Sequence, residues 1–263
     1  MALIVLASAS GSPGVTASAL GLALTWDAPV LLVEADPTGG SSILAGYLRG
    51  RTTPTDSLID LALAHRQGLL TEALPEATVM IEDTQVSLLP GTRSHTQARS
   101  LVPLWQPLAA LLKGLERTGQ DVIVDAGRLG LAGSPEPLLY AADLCLLTTR
   151  SDLVALSGAR SWVETLRAGF EGVGGSSSLG ILMVGEGDPY TAREVHKVLQ
   201  APVTASLAWD EPAARVFAKG GSAPRRFDGS ALVRSLKAAH AAITSTVTTN
   251  RADLVVPVVG SPV

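Results

Sequence analysis

The sequence predicts an α/β protein with a doubly wound, mainly parallel sheet and helices on both faces. Short apolar runs recur along the chain, and most are followed by a stretch with helical periodicity. The runs are apolar at every position instead of alternating, as expected for strands buried between two helical layers. With 263 residues, 46% of them hydrophobic, the chain is long enough to bury a substantial core.

The order of these elements is the order of a doubly wound fold. The predicted strands are ALIVLAS (2–8), PVLLVEA (29–35), DVIVDA (121–126), LCLLTT (144–149), LGILMVG (179–185) and APVTASLA (201–208). The predicted helices cover residues 15–26, 41–48, 153–168, 191–199, 211–218 and 227–245. We predict a single domain over residues 1–246. Residues 247–263 form a tail that is either an edge strand or disordered.

Composition excludes several classes of function. A formal charge of −4 gives no general attraction to nucleic acid or to anionic lipid. The single cysteine, Cys145, and four dispersed histidines argue against disulfides, zinc and an iron–sulfur cluster. The sequence has neither a signal-peptide pattern nor an apolar stretch long enough to span a membrane. We therefore expect a cytoplasmic protein without an integral membrane segment.

The stretch ASASGSPGVTAS (7–18) lies between the first strand and the first helix. A glycine-rich turn in this position directs backbone N–H groups and the positive end of a helix dipole toward a bound anion. On its own, the stretch is more typical of a tight turn between strand and helix than of a phosphate site.

Three carboxylates lie at the carboxyl ends of two other predicted strands. Glu34 and Asp36 come at the end of the second strand, and Asp125 ends the strand DVIVDA. Open α/β sheets place their sites at this carboxyl edge. Asp36 or Asp125 alone is also explained as a helix cap or a turn residue. Together with the hydroxyl of Thr16, the three carboxylates fit a Mg²⁺-phosphate arrangement.

In these segments the sequence resembles the ParA/MinD family of deviant Walker P-loop ATPases. The family loop KGGxGK[TS][TS] aligns with SGSPGVTA (10–17), and its LLVDxDPQG motif aligns with LLVEADPTG (31–39). The likeness continues through VSLLPG (86–91), through residues 141–166 and through residues 201–221. It covers residues 1–245, and it implies a P-loop NTPase fold.

The resemblance implies a role for each aligned residue, with ATP and Mg²⁺ as cofactors. Asp36 takes the position associated with the attacking water, Thr16 the metal-binding hydroxyl, and Asp125 the outer shell of the metal. The implied cofactor-binding residues are Gly11, Ser12, Gly14, Val15, Thr16 and Ala17.

The sequence differs from the family at the two lysine positions of the loop. Val15 replaces the loop lysine that contacts the β and γ phosphates, and Ser10 replaces the signature lysine. Pro13 has no N–H group to offer. Residues 1–48 contain no Lys, Arg or His at all. Arg128 and Arg150 are candidates to replace the lysines, although ordinary surface arginines are the commoner explanation for both.

Two further positions differ from the family pattern. Glu34 replaces the first Asp of LLVDxDPQG and preserves its charge on a longer side chain. The family's base-reading Asn is not evident, since GEGD follows the strand LGILMV.

Two functional interpretations follow. The first is a hydrolysis-deficient pseudo-ATPase that acts as a positioning or scaffold factor in a partition, pilus/secretion or cell-organisation system. The alternative is an active Mg-ATP-dependent ATPase whose dimerisation is switched by nucleotide. Both imply a homodimer and a protein partner. Nonspecific DNA binding would use Lys219, Arg225, Arg226 and Arg234, for which a solvated loop is the better explanation.

Overall fold

One sheet of eight strands organises the described part of the chain, which in this computed structural model comprises residues 2–10, 12–52, 58–175 and 178–255. The strands lie in the order β3-β4-β2-β5-β1-β6-β7-β8. They are β1 (Leu3–Ser8), β2 (Val30–Glu34), β3 (Val79–Met80), β4 (Val86–Leu89), β5 (Asp121–Arg128), β6 (Leu144–Arg150), β7 (Leu179–Val184) and β8 (Val203–Leu207). All neighbours are parallel except β3, which runs antiparallel to β4. The predicted fold class is confirmed.

Helices cover both faces of the sheet. They are α1 (Val15–Leu24), α2 (Leu58–Arg66), α3 (Leu70–Glu76), α4 (Val102–Gly114), α5 (Glu136–Ala141), α6 (Leu153–Gly172), α7 (Ala192–Leu199), α8 (Glu211–Lys219) and α9 (Ala231–Val255). One hydrophobic core lies between the sheet and α2 to α7, and the other between the sheet and α1, α8 and α9. Alternate residues of β1 enter the two cores, which explains its continuous apolar sequence.

The segment between β2 and β5 differs most from the predicted elements. Helices α2 to α4 and strands β3 and β4 all lie there without having been predicted. The predicted helix at 41–48 is a single π-helical turn, Ile43–Tyr47. It packs closely on α8, because a Cβ atom added to Gly46 would overlap the carbonyl oxygen of Ala218.

The final helix is longer than the sequence pattern predicts. Helix α9 ends at Val255, so residues 247–255 are helical instead of the predicted edge strand or disordered tail. Val247 continues the buried stripe of the helix, and the guanidinium of Arg251 lies 3.0 Å from the Asp143 carboxylate. These tertiary contacts outweigh the low helix propensity of the Thr- and Val-rich sequence. Residues 256–263 lie outside the described residues.

The parallel neighbours β5 and β1 at the middle of the sheet send their connections toward opposite edges of the sheet. The connection from β1 crosses to β2 on one side, whereas the connection from β5 crosses to β6 on the other. A doubly wound sheet opens a crevice at such a point, outside the carboxyl ends of its strands. The loop after β1 and the end of β5 therefore face the same crevice.

Candidate functional site

The loop between β1 and α1 leaves the start of the helix uncapped. Gly14 has a φ of +93° directly before the helix, and Ser12 has a φ of +46°. No side chain caps the start of α1, and its first turn contains no acidic residue. The first N–H groups of any helix lack an intrahelical acceptor, and here no side chain caps them, so the positive end of the helix dipole is not offset locally. Gly11 lies outside the described residues.

The two positions that align with the family's lysines pack against neighbouring elements of the fold. Val15 is buried in the core between α1 and the sheet. Ser10 lies against α6, because a Cβ atom added to Gly158 would come within 2.6 Å of its Oγ. Pro13 is also buried. The loop keeps a cradle-like backbone, but its side chains bring no positive charge.

Glu34 and Asp125 lie side by side at the ends of two hydrogen-bonded strands. They are register partners between β2 and β5, and they are only 5% and 1% exposed. Asp125 accepts a hydrogen bond from the backbone N–H of Gly127 at 3.0 Å, and Glu34 accepts one from Gly91 at 3.5 Å. These neutral donors replace only part of the hydration that the carboxylates lose on burial.

Burial makes both carboxyl groups weak acids. Loss of solvent raises the pKa of Glu34 from 4.5 to about 7, and the charge of Asp125 raises it further, against a hydrogen bond from Ser41. Burial likewise raises the pKa of Asp125 from 3.8 to about 6, with the charge of Asp36 adding to the effect. A hydrogen bond from the Thr16 hydroxyl opposes that rise. The pair is therefore poorly compensated by positive charge.

Asp36 is held by its own turn and by close contact with β5. Its Oδ1 accepts hydrogen bonds from the N–H and the hydroxyl of Thr38, both at 2.8 Å. A Cβ atom added to Gly127 would overlap the Asp36 carboxylate. Gly127 has a φ of +63°, so glycine at this position satisfies both the backbone conformation and the close approach.

These groups share one cavity of about 280 Å³. Its lining consists of carboxylates, hydroxyls and glycines: Thr16, Glu34, Asp36, Thr38, Gly39, Gly40, Ser41, Ser42, Gly91, Thr92 and Asp125. The structure thus brings together Thr16, Asp36 and Asp125 of the predicted site. It places Ser12, Gly14, Val15 and Ala17 outside this lining. No Lys, Arg or His lines the cavity among the described residues.

Thr92 is one of several lining residues that sequence reasoning missed. It is 2% exposed, and within the described part of the chain its Oγ1 has no hydrogen-bond partner. Its carbonyl oxygen accepts a hydrogen bond from Gly40 at 2.7 Å, which ties the loop after β4 to the loop after β2. The sequence signal was the segment VSLLPGT, which is a strand followed by a turn that reaches the carboxyl edge.

Solved structures similar to this chain cover nearly its whole length. The cell division ATPase MinD from Pyrococcus furiosus has a TM-score of 0.71 at 21% identity, over 93% of this chain and 99% of that one. A ParA family ATPase from Chlorobium tepidum TLS has a TM-score of 0.69 at 20% identity, over 90% and 98%. This chain has the ParA/MinD fold. No protein-family model matches its sequence, and no curated protein matches it either.

A third structure with the ParA/MinD fold contains a nucleotide. The septum site-determining protein MinD from Pyrococcus horikoshii OT3, complexed with Mg-ADP, has a TM-score of 0.69 at 16% identity, over 94% of this chain and 97% of that one. Likeness at this level of identity establishes the fold, and what the cavity binds in this chain has to be argued from its own residues.

The two arginines considered as substitutes for the missing lysines both lie outside the cavity lining. The guanidinium carbon of Arg150 lies 3.9 Å from the ring centroid of Trp209, and its Nε lies 3.8 Å from the Asp152 carboxylate. Arg128 is exposed at the end of β5. Neither side chain offsets the charge of the buried carboxylates in this structure.

Cys145, the arrangement of metal-ligating side chains, the hydropathy of the helices and four basic residues bear on the redox, metal, membrane and DNA-binding functions considered from the sequence. Cys145 is buried in β6, and burial raises the pKa of its thiol to about 12. No group of three or more His, Cys, Asp or Glu is arranged to hold a metal ion in the described residues. No described helix is both long enough and apolar enough to cross a membrane. Lys219, Arg225, Arg226 and Arg234 are all exposed.

Proposed function

We propose that this protein is a ParA/MinD-like pseudo-ATPase. It works as a cytoplasmic positioning or scaffold factor, in a partition, pilus/secretion or cell-organisation system, and it does not hydrolyse ATP. The observation that supports this is the cavity at the carboxyl edge, whose lining, among the residues that the structure describes, combines three carboxylates with no cationic side chain.

The charge of the cavity opposes a triphosphate. Each charge-assisted contact to phosphate contributes about 1.5 to 3 kcal/mol, and both lysine positions of the loop have lost theirs. Two such losses weaken binding by about a hundredfold or more. The negative charges of Asp36 and Asp125 add repulsion, and a transition state with shifting charge loses still more stabilisation than the bound nucleotide does.

The oxygen ligands alone would suit Mg²⁺. The Thr16 hydroxyl and the Asp125 carboxylate are donors of the kind that hard cations prefer. A nucleotide bound together with this ion would have the backbone N–H groups at the start of α1 as hydrogen-bond donors to its phosphates, without a lysine from the loop. These residues fit the ion better than they fit the nucleotide, so we assign no catalytic step to either.

Isothermal titration with Mg-ATP tests the proposal, combined with an assay of phosphate release. We expect neither saturation at millimolar nucleotide nor phosphate release from the natural protein. Val15→Lys, which places a cation at the start of α1, should give measurable binding, with Val15→Met as the uncharged control of similar length and circular dichroism to confirm folding, since Val15 is buried. Micromolar binding by the natural protein together with phosphate release would contradict the proposal.

An active Mg-ATP-dependent ATPase with nucleotide-switched dimerisation is the second candidate. The uncapped start of α1 and the positions of Thr16 and Asp36 favour it. Under this alternative, Asp36→Ala should abolish phosphate release while nucleotide binding persists. Absence of binding at millimolar Mg-ATP would reject it.

A homodimer and a protein partner are part of both candidates. Sizing the protein with and without Mg-ATP tests the dimer, since the pseudo-ATPase should keep one oligomeric state under both conditions.

For nonspecific DNA binding, the exposed residues Arg225 and Arg226 are the test positions. If the double change to Glu leaves salt-sensitive DNA retention unaltered, this patch has no role in it.

A further inference from the structure

A second cavity, of about 680 Å³, lies next to the cavity at the carboxyl edge. Its lining combines apolar and basic side chains, those of Pro37, Leu131, Ala132, His95 and Arg99. We propose that this second cavity binds a small organic molecule that has an apolar body and one carboxylate group. The inference does not rest on the proposed function, because among the described residues only Thr38 lines both cavities.

The three segments that line the second cavity are held against one another by close backbone contacts. A Cβ atom added to Gly39, in the loop after β2, would come within 2.5 Å of the backbone nitrogen of His95. One added to Gly133, in the loop after β5, would come within 2.6 Å of the carbonyl oxygen of Ala98. The indole N–H of Trp105 also donates a hydrogen bond to the Gly133 carbonyl at 3.0 Å. The walls of the cavity are therefore fixed by the fold, which lowers the entropy cost of binding a ligand there.

The apolar part of the second cavity supports the apolar body of the ligand. Pro37 is buried, whereas Leu131 and Ala132 are exposed. A single exposed leucine is ordinary on a protein surface, but here it lies in a concavity together with two other apolar residues. Sites for small molecules are concave and mostly apolar, with volumes of about 300 to 1,000 Å³ and a few polar groups that orient the ligand. The second cavity fits this description in volume and in composition.

The basic part of the second cavity supports the carboxylate of the ligand. His95 and Arg99 belong to one 3₁₀ helix, His95–Leu101, and neither side chain makes a hydrogen bond or an ion pair within the described part of the chain. No acidic side chain lines this cavity among the described residues. A guanidinium binds a carboxylate through two parallel hydrogen bonds, and an imidazole has an N–H donor in either protonation state. One full positive charge matches a carboxylate better than a phosphate monoester, which carries about two negative charges.

The two neighbouring cavities differ in charge, which determines where a carboxylate ligand would bind. Glu34, Asp36 and Asp125 line the cavity at the carboxyl edge, so that cavity repels an anion. The second cavity contains Arg99 and His95 instead. Binding of a carboxylate with an apolar body therefore reports on the second cavity.

The test is calorimetric titration of the full chain with sodium octanoate at constant ionic strength. We expect saturable binding, which Arg99→Gln weakens by about tenfold or more, because the carboxylate loses its charged partner. Arg193→Gln is the matched control, because Arg193 is an exposed arginine outside the cavity, and it should bind octanoate as the natural protein does. Leu131→Ser should weaken octanoate binding several-fold, and it tests the apolar contact without changing charge. Circular dichroism confirms folding, and if one of the two cavity variants does not fold, the other decides.

Further ligands test the apolar body, the carboxylate and the size of the ligand separately. Hexanoate should bind about tenfold more weakly than octanoate, because two fewer methylene groups are buried. Hexanol, which lacks the carboxylate, should bind more weakly than hexanoate.

Four outcomes would overturn the inference. They are no saturable binding of octanoate, unchanged binding in Arg99→Gln, equal binding of hexanol and hexanoate, and binding of acetyl-Gly-Gly-Leu roughly tenfold tighter than that of acetyl-leucine. The last result would assign the cavity to the end of a polypeptide instead of a small molecule. Mg-ATP binding with phosphate release would overturn the proposed function and leave this inference standing, since it concerns the other cavity.

Discussion

The two sides of the cavity at the carboxyl edge differ in the charge that their residues carry. The loop side, residues 9–10 and 12–17, of which Thr16 lines the cavity, has a positive φ at Gly14 and an uncapped helix start, but it has no ionisable side chain. The carboxylate side, formed by residues 34–36, 91–92 and 125–127, keeps its acidic groups in close packing. Backbone shape and negative charge are thus carried by different residues, and substitutions can change one without changing the other.

The largest expected effect contrasts a glycine from each side. Both Gly127 and Gly14 have positive φ angles, but a Cβ atom would overlap Asp36 at Gly127, whereas nothing lies within 4 Å at Gly14. Gly127→Ala should therefore lower the free energy of unfolding by about 2 to 5 kcal/mol, from backbone strain plus overpacking. Gly14→Ala should cost about 1 to 2 kcal/mol, from strain alone. Urea denaturation of both variants measures the difference.

Equal losses of unfolding free energy in Gly127→Ala and Gly14→Ala would contradict this prediction. Equal losses in the two variants would mean that Asp36 moves away from β5 without cost, so that the carboxylate side is no more tightly packed than the loop side. Gly68→Ala is a useful control, because Gly68 also has a positive φ and no atoms near the added Cβ, and it lies far along the chain from the cavity residues.

The next effect concerns pH, since only the carboxylate side can titrate. The folded state raises the pKa of Glu34 to about 7 and that of Asp125 to about 6, so it binds protons more tightly than the unfolded chain. Their contribution to stability is therefore favourable at low pH and is lost as the pH rises from about 4 to about 7. For Glu34 alone the loss amounts to about 3 kcal/mol at most.

A neutral substitution should remove much of this dependence. Glu34→Gln is expected to be about 2 kcal/mol more stable than the natural protein at pH 8 and nearly equal to it at pH 4. Chemical denaturation at a series of pH values gives the measurement, and Asp228→Asn serves as control, because Asp228 is an exposed acidic residue outside the cavity. A natural protein and a Glu34→Gln variant with parallel pH profiles would mean that Glu34 is not the weak acid its burial implies.

The sequence predicted the centre of the fold better than its periphery. The strands that carry the site are buried on both faces, so continuous apolar runs identified them without tertiary information. The segment between β2 and β5 was not predicted, because its helices are short or carry proline, as α4 does at Pro107, and their pattern emerges only on packing. The Thr-rich end of α9 has low helix propensity, and burial of Val247 is visible only in the structure.

The candidate site likewise has residues whose positions the sequence predicted and residues whose positions it did not. The strand-end positions of Glu34, Asp36 and Asp125 followed from the sequence, because parallel strands bring their carboxyl ends to one edge. The unpartnered hydroxyl of Thr92 did not follow, since it depends on how the loop after β4 closes over its neighbour. The sequence also did not show that Arg150 is unavailable as a replacement for the missing lysines. Its partner, Trp209, is distant in sequence and 53% exposed.

The smallest expected effect tests whether the cavity truly has no cation. Arg150 ends β6 at the same edge of the sheet, but it stacks on the Trp209 ring and lies 3.8 Å from Asp152. Cation–π contacts at exposed positions contribute about 0.5 to 1 kcal/mol, so Arg150→Ala should lower the free energy of unfolding by less than about 1 kcal/mol. The fluorescence of Trp209 should change, which Trp209→Phe verifies by removing that signal. The pH profile of stability should not change, because Arg150 does not neutralise Glu34 or Asp125. If Arg150→Ala instead shifts that profile to higher pH, the guanidinium reaches the carboxylates in solution, and the contrast between the two sides of the cavity is weaker than the structure indicates.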